Sequence, residues 1–427
     1  MNPNISRRQF LQLASMLSLS SLSTGRRLAA QTDQTNVLIV VFDAWSAENT
    51  SLHGYPRRTM PLLEELAEQA VVYHRHYAGG PWTIPGAASL LTGTYPWTHR
   101  AFTAEQMQVT HPKHNIFAPF QQAGYHTSAA THNIFADDYL TQFDKHIDHH
   151  PKFSELFLSK RLPFTQLVPR DLEAGALAQI RAFWNPENVN SSLFLGRYIH
   201  ESIQLLTLAN TPQPNFSYYH FYPPHQPYHT RTEFYNNFKD DGVQFPEKSP
   251  SVITEGKTKA EMDAARQQYD EFLRYVDSVF YRLFQSMQRA GLRQSTWIVL
   301  TSDHGELFER GNIGHEIPAG YESEVHIPLL IFPPDGFSRV DIHTPTSAVD
   351  VLPTLLHLTG QPAAEWAEGR VLPPFSDEIP PDRPVYVFHP NRNRAHKPIT
   401  QGSATIIREQ YKLVSTFGIP KMEVASP

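Results

Sequence analysis

The sequence predicts an α/β fold built on a mostly parallel sheet, and three observations carry that reading. Residues Asn36 to Phe42 form an unbroken apolar run, rich in Val and Ile, that ends at Asp43. Such a run suits a strand buried on both faces. Two further runs repeat the pattern: Thr296 to Thr301, which ends at Ser302-Asp303-His304-Gly305, and His326 to Phe332. Elsewhere the apolar spacing is helical. It runs through Leu62, Leu63, Leu66 and Ala70, through Phe272, Val276, Val279 and Leu283 within Met262 to Arg289, and along Val349 to Leu358. Strands alternating with helices place the helices on the faces of a mostly parallel sheet.

In such sheets ligands sit beyond the carboxyl ends of the strands. Asp43 and the Asp303-His304 pair both stand there, so two polar clusters are expected to meet in space. A turn-rich stretch, Gly79 to Gly93, leads into a short apolar helix with Thr83 near its start. Backbone N–H groups at a helix start favour an anionic oxygen or a phosphate. Taken alone, a threonine there is more often a cap. After Pro373 the text changes: prolines punctuate it, and Val385 to Phe388 and Ala404 to Ile407 read as short strands of a small antiparallel piece.

A chain of 427 residues suits one large catalytic domain with a small appendage. With 36 Lys and Arg against 42 Asp and Glu, it lacks the basic excess of a nucleic-acid binder, so no nucleic-acid partner is expected. It contains no cysteine, which excludes disulfides and a thiolate nucleophile or ligand. Near the start, Ser6-Arg7-Arg8-Gln9-Phe10-Leu11 is a twin-arginine pattern. A weakly apolar stretch to Leu22 and small residues at Ala29-Ala30 follow it. Residues 1–30 therefore read as a twin-arginine export signal, and the expected location is the periplasm or another exported compartment. The stretch is too short and polar for a stable span, so a membrane is met only if the signal stays uncleaved.

Further motifs follow in order: the Leu90-Leu91-Thr92-Gly93 end of the Thr83 segment, Gly124-Tyr125-His126-Thr127, and Pro224-His225-Gln226-Pro227-Tyr228. Next come Tyr269 to Leu283 with Asp277, Asp303-His304-Gly305-Glu306, Gly314-His315, and Val349-Asp350-Val351-Leu352-Pro353-Thr354. In number and order these resemble the sulfatase-like branch of the alkaline phosphatase superfamily, over roughly residues 36–415.

The resemblance implies a three-layer α/β/α fold with a large central sheet and a small antiparallel C-terminal subdomain. The implied division is a signal at 1–30, a catalytic domain at 31–372 and a C-terminal subdomain at 373–427. It implies an ester hydrolase whose nucleophile, seven positions before the first Leu of Leu-Leu-Thr-Gly, is Thr83. The implied ligands of one divalent ion are Asp43, Thr83, Asp303 and His304. Carboxylate with imidazole suits Mn²⁺ or Zn²⁺ and also admits Mg²⁺ or Ca²⁺. His225 and His315 match positions that hold the substrate anion or protonate its leaving oxygen, and His132 lies where sulfatases carry an anion contact. His220 and His229 flank the His225 segment and read as surface residues.

Three departures qualify the match. True sulfatases carry a Cys or Ser converted to formylglycine, with Arg four residues on; here Thr83 and Ala87 stand instead, so formylglycine is not expected. A second acidic residue often follows the first, and here it is Ala44. The family also continues past its last strands, so a short C-terminal subdomain is expected. The expected substrate is a small-molecule or envelope-derived ester, of phosphorus (diester or phosphonate) in preference to sulfate. The alternatives are a transferase of phospho-head groups and an inactive ligand-binding member. Specificity is assigned to loops such as 151–215; the oligomeric state is not legible.

Overall fold

The computed structural model describes residues 35–131, 133–150, 152, 213–251, 253–334, 337–376, 380, 382–390 and 397–418. The expected export signal, His132 and the helical patches at 172–183 and 195–208 lie outside them.

The strands are β1 (Asn36–Phe42), β2 (Val71–Tyr77), β3 (His126–Thr131), β4 (Asn215–Phe221), β5 (Thr296–Thr301), β6 (Leu307–Glu309), β7 (Asn312–Gly314), β8 (His326–Phe332), β9 (Val340–Ile342), β10 (Thr346–Ser347), β11 (Val385–Pro390), β12 (Gly402–Arg408) and β13 (Tyr411–Phe417). The helices are α1 (Pro61–Leu66), α2 (Thr83–Thr92), α3 (Pro96–His99), α4 (Phe117–Gln122), α5 (Ile134–Thr141), α6 (Lys259–Arg289), α7 (Glu322–Val325) and α8 (Val351–Leu358).

The main sheet runs β10-β2-β8-β5-β1-β4-β3, with β9 on β2. Its centre is parallel: β1 pairs with β4 and β5, and β3 with β4. One of the three apolar runs departs from that direction. β8 is antiparallel to both β2 and β5. The connection from β5 holds only the β6–β7 hairpin and α7, with no crossover helix to carry the chain to the other end of the sheet, so β8 returns from the end where β5 finished.

Both faces of β1 are covered. Val37, Ile39 and Val41 join one apolar cluster with residues of α2, α4 and α8; Leu38, Val40 and Phe42 join the other with α1 and α6. Each fully buried side chain of this kind contributes roughly 1.5–3 kcal/mol. Helix α6 starts at a Thr258–Glu261 capping box. Its Asp277, one of the matched positions, accepts from the N–H groups of Leu62 (2.9 Å) and Leu63 (2.7 Å), so it caps α1. The C-terminal strands form the antiparallel sheet β11-β12-β13, which packs Val385, Val387 and Ile407 on Tyr77 and Val325. Among the described residues no helix is long and apolar enough to cross a membrane.

Candidate active site

Parallel pairing in register brings three strand ends together. Val41 lies opposite Thr301 on β5 and His220 on β4, so Asp43, Asp303 and His220 meet beyond the sheet. All three are fully buried or nearly so. The turn after β1 is held tightly: Ser302 Oγ donates to Phe42 O (2.6 Å) and accepts from Trp45 N (2.9 Å), while Tyr269 OH donates to Ala44 O (2.7 Å). Ala44 takes φ 59°, a left-handed conformation that costs a non-glycine residue about 1 kcal/mol.

Thr83 is the first residue of α2. Its predecessor Trp82 takes the N-cap place without a side-chain capping bond. The Thr83 hydroxyl instead lies 3.4 Å from His304 Nε2 and 3.4 Å from Asn133 Nδ2. Gly86 allows this approach, since a Cβ there would stand 2.2 Å from the Asp303 carbonyl oxygen. The helix that carries the hydroxyl thus rests on the turn that carries the carboxylate.

The four expected ligands converge. Donor atoms of Asp43, Asp303 and His304 lie within 4.8 Å of one another. His304 Nδ1 donates to Gly305 O (2.8 Å), which turns Nε2 toward Asp43 Oδ1 (3.2 Å) and Asp303 Oδ2 (3.6 Å). Asp43 Oδ1, Asp303 Oδ2 and His220 Nε2 are buried with no hydrogen-bond partner among the described residues. Buried carboxylates left so need a cation, and this donor set fits a divalent ion. The charges already lean that way. Burial opposes ionisation of Asp43, but His225, His220 and His304 outweigh it and hold its carboxyl well below the usual range. Burial likewise opposes a charged His304, yet Asp303 and Asp43 raise it to about 10.

His225 and His315 stand beside this cluster, with ring centroids 4.8 Å apart and His315 4.4 Å from His304. His225 Nδ1 donates to Gln226 O (2.7 Å), so its Nε2 is the reactive nitrogen. His315 Nδ1 meets the buried Glu306 Oε1 at 2.9 Å. Burial, partly offset by His225 and His304, raises Glu306 to about 7. Burial, reinforced by the charge on His304, lowers His315 to about 4.

One expectation is corrected and two residues are added. His220, read as a surface residue, is fully buried. Its Nε2 lies 3.4 Å from Asp43 Oδ2 and 3.6 Å from Asp303 Oδ2. Burial works against its charge, but Asp303 and Asp43 raise its pKa. The sequence held the signal, because a polar residue near the carboxyl end of a strand occupies the position that marked Asp43. Asn133, next to the expected His132, donates from Nδ2 to Asp43 Oδ2, while its Oδ1 caps α5 by accepting from Phe135 N (2.8 Å) and Ala136 N (3.2 Å). An Asn before Ile-Phe is a legible N-cap. Glu306 stood within a matched motif, and only the fold shows its contact with His315. His229 is exposed, as read.

The sulfatase family model matches residues 35–361. The chain belongs to the sulfatase family. Among curated sulfatases it is 22% identical over 379 residues to arylsulfatase K of Bos taurus, covering 82% of this chain and 67% of that protein. It is 23% identical over 348 residues to the ulvan-active sulfatase of Formosa agariphila, covering 79% and 64%. The chain thus spans about two thirds of these relatives' length. Its fold matches the phosphonate monoester hydrolase from Silicibacter pomeroyi with a TM-score of 0.69 at 20% identity, covering 91% of this chain and 88% of that one. At the level of enzyme class, the sulfatase match supports a hydrolase of sulfate or phosphate esters.

Proposed function

We propose that this sulfatase-family chain is a metal-dependent hydrolase of phosphate diesters or phosphonate esters with unmodified Thr83 as nucleophile. One observation carries the reading: the Thr83 hydroxyl, at the first turn of α2, opens onto the buried Asp43, Asp303 and His304 donors, 3.4 Å from His304 Nε2. A divalent ion bound there supplies positive charge that lowers the pKa of the hydroxyl and neutralises a nonbridging oxygen. Asn133 holds the Asp43 carboxylate and the Thr83 oxygen in register. The Thr83 hydroxyl gives up its proton to solvent, and its oxygen bonds to phosphorus as the in-line bond from phosphorus to the leaving oxygen breaks. His225 and His315, on the open side of the cluster, hold the anion, and His225 gives the leaving oxygen its proton. Water next attacks phosphorus and frees Thr83.

Threonine also favours phosphorus over sulfur. Formylglycine expels sulfate by elimination from a hydrated aldehyde, a route closed to a sulfated threonine, whereas a phosphothreonine is open to attack at phosphorus. Ala87 in place of the usual arginine supports the same preference. The test is a chromogenic panel of phosphate monoester, phosphate diester, phosphonate and sulfate with Mn²⁺. Dominant turnover of phosphorus esters, lost in Thr83→Ala, is expected; dominant sulfate turnover lost in the same variant contradicts the preference. Export by the twin-arginine route remains part of the proposal, and fractionation with Arg7 and Arg8 changed to Lys tests it.

A further inference from the structure

Away from the catalytic cluster, Glu48, Glu322 and His326 bring three donor atoms within 4.8 Å of one another. They come from the turn beyond β1, from α7 and from the first residue of β8. His326 Nε2 faces the His74 carbonyl oxygen at 2.8 Å, so that nitrogen carries the proton. Its Nδ1 then faces Glu48 Oε1 at 2.9 Å and Glu322 Oε2 at 4.0 Å. In the tautomer with its proton on Nε2, the Nδ1 lone pair of His326 converges with two carboxylate oxygens. The other oxygen of Glu322, Oε1, is held by Lys412 Nζ at 2.7 Å, which fixes the carboxylate with Oε2 toward His326.

A neighbouring chain of imidazoles ends in a second electron pair. Asp341 Oδ1 accepts from His74 Nε2 (2.6 Å), so His74 Nδ1 accepts from His53 Nδ1 (3.1 Å). His53 Nε2 is then a bare nitrogen, buried with no hydrogen-bond partner among the described residues. Burial holds His53 well below the usual histidine range, which favours its neutral form. His53 lines the same cavity as Glu48, of about 350 Å³, and its ring centroid is 6.1 Å from that of His326.

We propose that Glu48, Glu322 and His326 form a second divalent-cation site of the zinc class, separate from the catalytic one. Ligands about 2.1 Å from a shared ion in tetrahedral geometry stand about 3.4 Å apart. The observed 2.9 and 4.0 Å lie either side of that value. Two carboxylates and one neutral imidazole balance a divalent charge, and the N–H of His326 on a backbone carbonyl is the usual outer contact of a metal-bound histidine. The ion would tie the turn that follows Asp43 to the segment that follows His315.

The test counts Zn²⁺ per chain by equilibrium dialysis of the full-length protein and reads Zn²⁺-induced shifts in Tm. The wild type is expected to bind two equivalents. E48Q/E322Q is expected to bind one and to keep ester turnover, while D303N loses the other equivalent. Both glutamate side chains are 45% and 41% exposed, so the double variant should fold. In the D303N background, Zn²⁺ should raise Tm, and adding E48Q/E322Q should abolish the rise. If E48Q/E322Q binds as much Zn²⁺ with wild-type affinity, His326 is simply an imidazolium paired with Glu48 and the site does not exist.

Discussion

Asn133 serves two purposes, and two substitutions separate them. Asn133→Ala removes both the N-cap of α5 and the donor to Asp43. The cap contributes about 1 kcal/mol, and a hydrogen bond to a charged group about 1.5–3 kcal/mol, so the loss should total about 2.5–4 kcal/mol. Asn133→Ser keeps an oxygen at the cap but is too short to reach Asp43, so it should lie about 1 kcal/mol above the alanine variant. Both should lose metal affinity alike, by about 10- to 100-fold, as removal of a group that orients a ligand does. Urea unfolding gives the first comparison, and kcat/KM across a Mn²⁺ titration gives the second. Equal stabilities of the two variants would refute the cap, and wild-type activity of Asn133→Ser at limiting Mn²⁺ would refute the contact with Asp43.

Other consequences are as direct. His220→Gln should weaken Mn²⁺ binding 10- to 100-fold by dialysis; unchanged affinity would mean that its closeness to Asp43 and Asp303 is incidental. Gly86→Ala should push α2 off the Asp303 turn and cut turnover more than it cuts Tm, which activity and melting curves compare directly. His225→Asn should slow alkyl esters by about 10²- to 10⁴-fold and nitrophenyl esters far less; equal slowing would deny it a part in protonating the leaving group. His99, buried against Ser89 Oγ (3.2 Å) and Ala101 N (3.1 Å), is lowered to about 3 by burial. The unfolded chain therefore takes up that proton first. The stability His99 contributes is full above about pH 6.5 and is lost as pH falls toward 3, by about 2 kcal/mol at pH 5. His99→Asn should reduce the loss of unfolding free energy between pH 7 and pH 5 by that amount.

Which parts of this site the sequence reveals follows from where each residue lies. Asp43 and Asp303 stand at the ends of continuous apolar runs, and a run buried on both faces announces its own carboxyl end. His220 lies next to the end of its strand, the position that could mark it, but its run mixes Ser and Tyr with Phe and leads into prolines, so the strand's burial is harder to read than that of β1. Asn133 carries a local signal as a cap, whereas its contact with Asp43 lies 90 residues away in sequence. Glu306 on His315, and Glu48 with His326, depend on the path of the chain between β5 and β8. Apolar pattern fixes the burial of β8 and not its direction; direction comes from the missing crossover helix.

The central claim is that unmodified Thr83 attacks phosphorus, and mass analysis of the Thr83 peptide, acid-quenched during turnover of a phosphonate or phosphate diester, tests it most directly. The account predicts a phosphoryl-type adduct on an unmodified Thr83 in the wild type and none, with no turnover, in Thr83→Ala. Turnover that persists in Thr83→Ala with no adduct anywhere on that peptide would contradict it.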